Sequence, residues 1–318
     1  METLQFAFRK ILYAIPLLFG VTLISFLLMV YFGPDLTYSL IGKNPTAEQI
    51  VEVRTQLGYD QPFFIRYGMF LKEIVTFDFG NSLSTGERVS SILLRTVPVS
   101  FAVALPGFIL SELLALALAL IAANNRGGFV DKGIMVFAVV GMSISFLIVV
   151  IIFQIVFCSV YGLNLFPVQG WVVSNVADYV HYVAVPTMVI VFVGLGYNTR
   201  FFRAVIVEEL NRDYVRTARA YGVSRFRILS AHILKNAMIP ISTRVIISLP
   251  FVVIAGNLVI ERYFNIPGVG LITYNAITTG DLPIVKAVVT STAILYVIAL
   301  VFTDIVYRMI DPRVALNS

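Results

Sequence analysis

The chain has 318 residues, of which 58% are hydrophobic and 13% charged, with a net charge of +5 and a mean hydropathy of +0.90. Apolar runs of about 20 residues, each long enough to cross a bilayer as a helix, exclude a soluble domain. The positive balance therefore reads as membrane topology rather than a nucleic-acid footprint, and the single Cys158, inside an apolar run, permits no intrachain disulfide and no cysteine metal site.

In chain order, Arg9 and Lys10 precede an apolar span that reaches Phe32. It is longer than a signal-peptide h-region and no small-residue cleavage site follows, so residues 1–32 read as an uncleaved first transmembrane helix. Residues 33–96 hold six basic and seven acidic side chains, too many to bury in lipid. There Thr46 and Gln49 predict a capping box for a helix with Ile50, Val53 and Leu57 inward, stopping at Gly58. A second helix after Pro62 places Phe63, Tyr67, Phe70 and Ile74 on one face. Its acidic residues are interspersed rather than segregated, which favours packing on the transmembrane bundle over lying on the membrane surface.

Further spans are predicted at 97–123, 134–160, 179–199, 241–260 and 286–307, giving an all-α membrane protein of six crossings with a core over 97–318. A β-barrel is excluded because runs such as 108–123 and 144–160 are apolar on every side. The N-terminus, the 124–133 and 200–240 loops and the C-terminus carry fourteen Lys/Arg, whereas the 161–178 and 261–285 loops carry only Arg262. The positive-inside rule then puts both termini in the cytoplasm and 33–96 in the periplasm. Trp171 and nearby tyrosines fit an interfacial belt against membrane lipid.

Residues 80–88, GNSLSTGER, imitate a phosphate loop, but five residues separate the glycines and no lysine follows. His181 and His232 fall near opposite faces and share no metal. Ser143, in GMSIS, suggests an intramembrane serine hydrolase with His181; the nucleophile-elbow glycine is missing, and membrane serines ordinarily bond their own helix or a neighbour. Glu112 lies in mid-span, where a lone charge costs at least about 2.5 kcal/mol, so it needs a partner, a cavity or a proton. Two readings stay open for it: lining a substrate path, or bonding a neighbouring helix. Gln154, Asn198 and Asn257 are intramembrane amides with the same two readings, and Asp304 with Arg308 predicts a surface pair.

Between the spans of the 97–318 core the long polar segment is 211–240, NRDYVRTARAYGVSRFRILSAHILKNAMIP. It reads as a helical elbow: Asp213 caps a first helix, Gly222 supplies a left-handed end, and Ser224 caps a second helix with Phe226, Leu229, Ile233 and Ala237 on one stripe. Topology explains its arginines but not its caps and hinge, which suggest a docking site for another protein.

This elbow, with Ala218 and Gly222 in place, resembles the cytoplasmic EAA loop of the inner-membrane permease subunits of bacterial ABC importers, in the dipeptide/oligopeptide/nickel group. The blocks RKILYAIPLLFGVTLISFLL, LGYDQPFFIRYGMFL, FDFGNSLSTGERV, RYFNIPGVGLITYNAITTGDLPIV and DIVYRMIDPR are similar to that group's in the same order. Arg216 stands where the general loop has glutamate and Lys235 where it has proline, departures that resemble the peptide-importer branch.

The resemblance implies a type I importer permease fold, paired with a homologous second permease. It also implies two cytoplasmic ATPase subunits that hold ATP and Mg, and a periplasmic solute-binding protein. No cofactor is implied for this chain. Tyr214, Ala218 and Tyr221 would make the buried ATPase contact, with Arg212, Arg216 and Arg219 on the rim. The implied solute is a peptide, with oligosaccharide or nickel as alternatives within the group. A self-sufficient secondary transporter is a further alternative, centred on Glu112, although no inverted repeat is seen.

Overall fold

The computed structural model describes residues 2–32, 37, 41, 46–56, 58–250 and 257–310. The expected Asp304–Arg308 side-chain pair, Leu57 and the middle of the fifth span lie outside the described side chains. Among the described residues the regular secondary structure is helical, apart from one isolated antiparallel bridge between Asn81 and Arg88. Four helices among the described residues are long and apolar enough to cross a membrane: Leu12–Tyr31, Val89–Asn124, Val176–Leu210 and Leu282–Thr303. The chain divides into two units, Met1–Val99 with Pro267–Val301, and Ser100–Ile266 with Phe302–Ser318.

In the first unit, α1 (Glu2–Phe32) is followed by α2 (Ala47–Gln56) and α3 (Phe63–Thr76). The capping box forms as its spacing predicts: Thr46 N donates to Gln49 Oε1 at 3.0 Å, and Gln49 N donates to Thr46 Oγ1 at 3.3 Å. The apolar face of α3 packs on α1, where Phe26 meets the rings of Phe63, Tyr67 and Phe70 within 5.6 Å. Tyr67 Oη also lies 3.0 Å from Thr22 Oγ1.

The phosphate-loop look-alike is a hairpin closed on a carboxylate. Asp281, between α11 (Val269–Thr279) and α12 (Leu282–Ile310), is 1% exposed. It accepts from Ser82 Oγ at 2.6 Å, Ser84 Oγ at 2.7 Å and Ser84 N at 3.1 Å. Lys286 bonds Glu73, tying α12 to α3.

The second unit begins within α4 (Val89–Asn124), which starts earlier than the predicted 97 because the hairpin hands directly into it. The expected single third span is two helices, α5 (Phe129–Ser143) and α6 (Phe146–Cys158), bent by 99°. Ile144 and Ser145 are extended there, and the Ser143 hydroxyl bonds the Val139 carbonyl at 2.8 Å, its own helix as membrane serines do. The fourth span, α7 (Val176–Leu210), continues eleven residues past the predicted Thr199, because Phe202, Ile206 and Leu210 recur every four residues and are buried. After the elbow come α9 (Leu234–Pro250) and α10 (Asn257–Phe264), the latter extending into what reads as an outward loop.

Close approach sets the contact of α4 with α7. A Cβ placed on Gly194 would lie 2.1 Å from Ser111 Oγ and 3.1 Å from Ser111 Cβ, so these helices meet where small residues face each other. At the start of α5, Asp131 is buried and takes a two-pronged bond from Arg203 of α7, at 2.5 and 2.6 Å. On sequence alone the two residues fall in separate loops.

Two predictions follow from these contacts. Gly194→Ala lowers the thermal midpoint of the detergent-solubilised chain by an overpacking cost of about 1–3 kcal/mol, and Ser111→Ala in the same chain recovers part of it. No recovery would show that the α4–α7 contact is looser than described. For Asp281, burial raises the carboxyl, but hydrogen bonds from Ser82, Ser84 and the Leu83 amide outweigh it and hold the group below its ordinary value. A depressed folded-state value contributes stability above the unfolded-state value, lost as pH falls through the folded one. Wild type therefore loses midpoint more steeply below about pH 4 than Asp281→Asn does, and parallel curves would refute the assignment.

Candidate functional site

The elbow begins at Arg212, extended at φ −71° and ψ 152° without a side-chain cap, and α8 runs Asp213–Ala220. Asp213 is thus the first helical residue rather than its cap. Its carboxylate suits the positive end of the helix dipole and lies 3.5 Å from Arg216. Helix α8 ends as Gly222 predicts: at φ +73°, Gly222 N donates to Arg219 O at 3.0 Å and Val223 N to Ala218 O at 3.1 Å. That paired closure satisfies the last carbonyls and favours glycine at the turn.

Ser224 caps the return helix, its Oγ accepting from Arg227 N at 3.4 Å. One turn, Arg225–Arg227, leads into a π-helical segment, Ile228–Ile233, which continues into α9. The second arm is therefore not a separate short helix but the beginning of the next long one. The π segment also changes the buried stripe. Ile228 and Ile233, five apart, both point inward with Leu229 and Ala237, while Phe226 turns out and is 79% exposed. A regular 3.6-residue period places Phe226 inside, and the wider turn is the reason it is not.

These residues join one apolar cluster with Ala115, Ala119 and Ala123 of α4, Phe202, Ile206 and Leu210 of α7, and Val215 of α8. Tyr214 and Ala218 pack against this cluster rather than on the outer face, and Tyr214 Oη donates to Glu209 Oε2 at 2.6 Å. The outer face carries Asp213, Arg216, Arg219, Phe226 and Tyr221, the last 84% exposed. It combines two aromatic rings with a cationic rim, a composition that fits a pocket with an acidic border.

Deeper in the same unit, Glu112, Asn198 and Arg244 come together from α4, α7 and α9. Asn198 Nδ2 donates to Glu112 Oε1 at 2.7 Å, and Arg244 Nε donates to Asn198 Oδ1 at 3.2 Å. The guanidinium also lies 4.9 Å from the centre of the Phe201 ring. Arg244 is the residue that sequence reasoning passes over, although a lone arginine in the apolar run after Pro240 carries the same signal as Glu112.

Gln154 and Asn257 share no hydrogen bond with this group. Gln154 Nε2 donates to the carbonyls of Val168 at 2.8 Å and Tyr263 at 3.3 Å, and Asn257 Nδ2 to that of Ser100 at 2.9 Å. Glu261, expected in a loop, is fully buried on α10 and accepts from Ser100 Oγ at 2.6 Å.

The family described as "Binding-protein-dependent transport system inner membrane component" matches residues 115–316, and its N-terminal companion matches residues 3–104. The dipeptide transport system permease protein DppB of Bacillus subtilis (strain 168) is 32% identical over 300 residues, covering 94% of each chain. The oligopeptide transport system permease protein AppB of the same organism is 29% identical over 316 residues, covering 96% of this chain and 98% of its own. With matched segments extending over nearly its full length, the chain belongs to the inner membrane components of binding-protein-dependent transport systems, as a permease and not the ATPase.

Proposed function

We propose that this chain is a permease subunit for peptide import, forming one half of the pathway, with the elbow as the seat of an ATPase. The observation that carries the peptide reading is similarity over almost the whole chain to permeases of both dipeptide and oligopeptide systems. In this reading the chain crosses the inner membrane six times with both termini in the cytoplasm. A second permease completes the pathway, two ATPase subunits hold ATP and Mg, and a periplasmic binding protein delivers the peptide.

The elbow suits force transmission on physical grounds. Its outer face offers Tyr221, Phe226, Arg216 and Arg219 to a partner, while its inner face is fixed by Val215 and by Ile228 and Ile233, all buried within 2% exposure. A push on the outer face is thereby carried to α4, α7 and α9 as a rigid-body movement, the usual form of a two-state closure. Gln154 and Asn257 remain candidates for the substrate pathway alongside Glu112, although the bonds described above give both a structural use.

The test is affinity purification of the tagged chain from its native membrane in mild detergent, with Mg-ATP hydrolysis and peptide uptake assayed on the product. Wild type brings down a second permease and ATPases. Tyr221→Ala with Phe226→Ala lowers ATPase recovery at least about tenfold, while the chain's thermal midpoint stays put because exposed substitutions change stability by only about 0.5 kcal/mol. Gly222→Val, which forces a branched side chain into the left-handed region at about 1–2 kcal/mol, abolishes uptake with membrane insertion intact. Recovery of the chain alone, active in uptake, would overturn the reading.

A further inference from the structure

Glu112, Asn198 and Arg244 leave unusual capacity unfilled. Glu112 Oε2 is buried with no hydrogen-bond partner, and the two Nη groups of Arg244 make no hydrogen bond among the described residues. A cross-brace whose only task was to hold three helices would pair the two charges directly and satisfy both. Here an amide stands between them, and the second carboxylate oxygen of Glu112 is left buried without a hydrogen bond.

Depth and exposure narrow what the group meets. Glu112 is twelve residues from the end of α4 and Asn198 twelve from the end of α7, so both lie about 18 Å along their helices from the elbow end. Glu112, Asn198 and Arg244 are each partly exposed, so the group reaches a surface. An arginine with unbonded Nη groups is costly against lipid, whereas ionisable groups within spans ordinarily face a cavity or pathway.

We propose that Glu112, Asn198 and Arg244 form a station in the translocation pathway for the zwitterionic backbone of a short peptide. The Glu112 carboxylate receives the ammonium end, and the Arg244 Nη fork receives the carboxylate. A fork of two parallel donors fits a carboxylate, and Asn198 keeps the opposed charges apart so that neither neutralises the other. This inference rests on the peptide-permease reading.

Two substitutions separate the station from a brace. In Glu112→Gln the remaining carbonyl still accepts from Asn198 but the second anionic oxygen is gone; in Arg244→Lys an ammonium still donates to Asn198 but the fork is gone. The complete transporter, with its partner permease, ATPases and binding protein, is reconstituted in vesicles. Uptake of trialanine, whose only charges are at its ends, is then measured. Each variant lowers uptake about tenfold, the loss of one charge-assisted bond, with the thermal midpoint of the chain unchanged.

Unchanged uptake overturns the station, and so does a loss that tracks a fall in midpoint, which marks a brace. As a second measurement, Glu112→Cys is made in a Cys158→Ala chain, removing the one native thiol. A positively charged methanethiosulfonate labels it in the assembled complex, and trialanine-loaded binding protein slows the labelling. No labelling with or without ATP also overturns the station. A wild-type complex that imports a different solute and no trialanine removes the peptide reading itself, an outcome distinct from a peptide importer indifferent to both substitutions.

Discussion

The second unit depends on one apolar cluster at the elbow end of its helices. Val215, Ile228 and Ile233 are buried there against α4 and α7, each contributing about 1.5–3 kcal/mol by leaving water. Within lipid the same side chains would gain little from meeting, since hydrocarbon surrounds them either way. The elbow lies where the helices leave the apolar span, so burial there has its ordinary force. The bilayer thus leaves this margin as the place where a hydrophobic joint is strongest, and the chain puts its helical elbow on it.

Along the spans other means take over. Pro106 in α4 has no N–H to give the carbonyl of Ala102, and Tyr179 Oη donates to that carbonyl at 2.6 Å instead. Asn257 serves the nearby Ser100 carbonyl, and Gln154 serves the loop carbonyl of Val168 and that of Tyr263 in the last turn of α10. The Ala102 carbonyl is a backbone group that lipid would leave unbonded, and satisfying such groups is the governing demand on irregular backbone at membrane depth. The Arg203–Asp131 pair does the same for charge, since Asp131 also accepts from Gly127 N at 2.8 Å and neither ion is left alone.

What was legible in the sequence is what is decided locally. The Thr46–Gln49 box, the Gly222 turn and the Ser224 cap involve residues at most five apart, and each appears where its spacing places it. The approximate positions of the first, second, fourth and sixth apolar spans were equally plain. The bend at Ile144–Ser145 was not, because both flanking segments are apolar and hydropathy is blind to a change of direction. Nor was the π segment, since one additional residue per turn leaves composition untouched while turning Phe226 outward. Asp131 and Arg203 are 72 residues apart, and only the meeting of α5 with α7 gives them to each other. Asp213 fell one position from its expected role, a shift that changes a cap into a dipole-facing charge.

The polar group and the apolar cluster occupy the same three helices in consecutive turns. Ala115 follows Glu112 by three residues on α4, Phe202 follows Asn198 by four on α7, and Ile241 precedes Arg244 by three on α9. The cluster is close-packed, and side chains three or four apart lie over one another, so a tilt of any of the three helices relative to the others reaches the polar group within about 5 Å of axis. Helix α9 matters most, because it continues without a break from the π segment and carries Arg244 eleven residues past Ile233. A movement of the elbow that rotates α9 therefore changes the Arg244–Asn198 contact before anything further up the helix. The hydrogen bond between them, at 3.2 Å the longer of the two in the group, is the one this geometry leaves most easily broken.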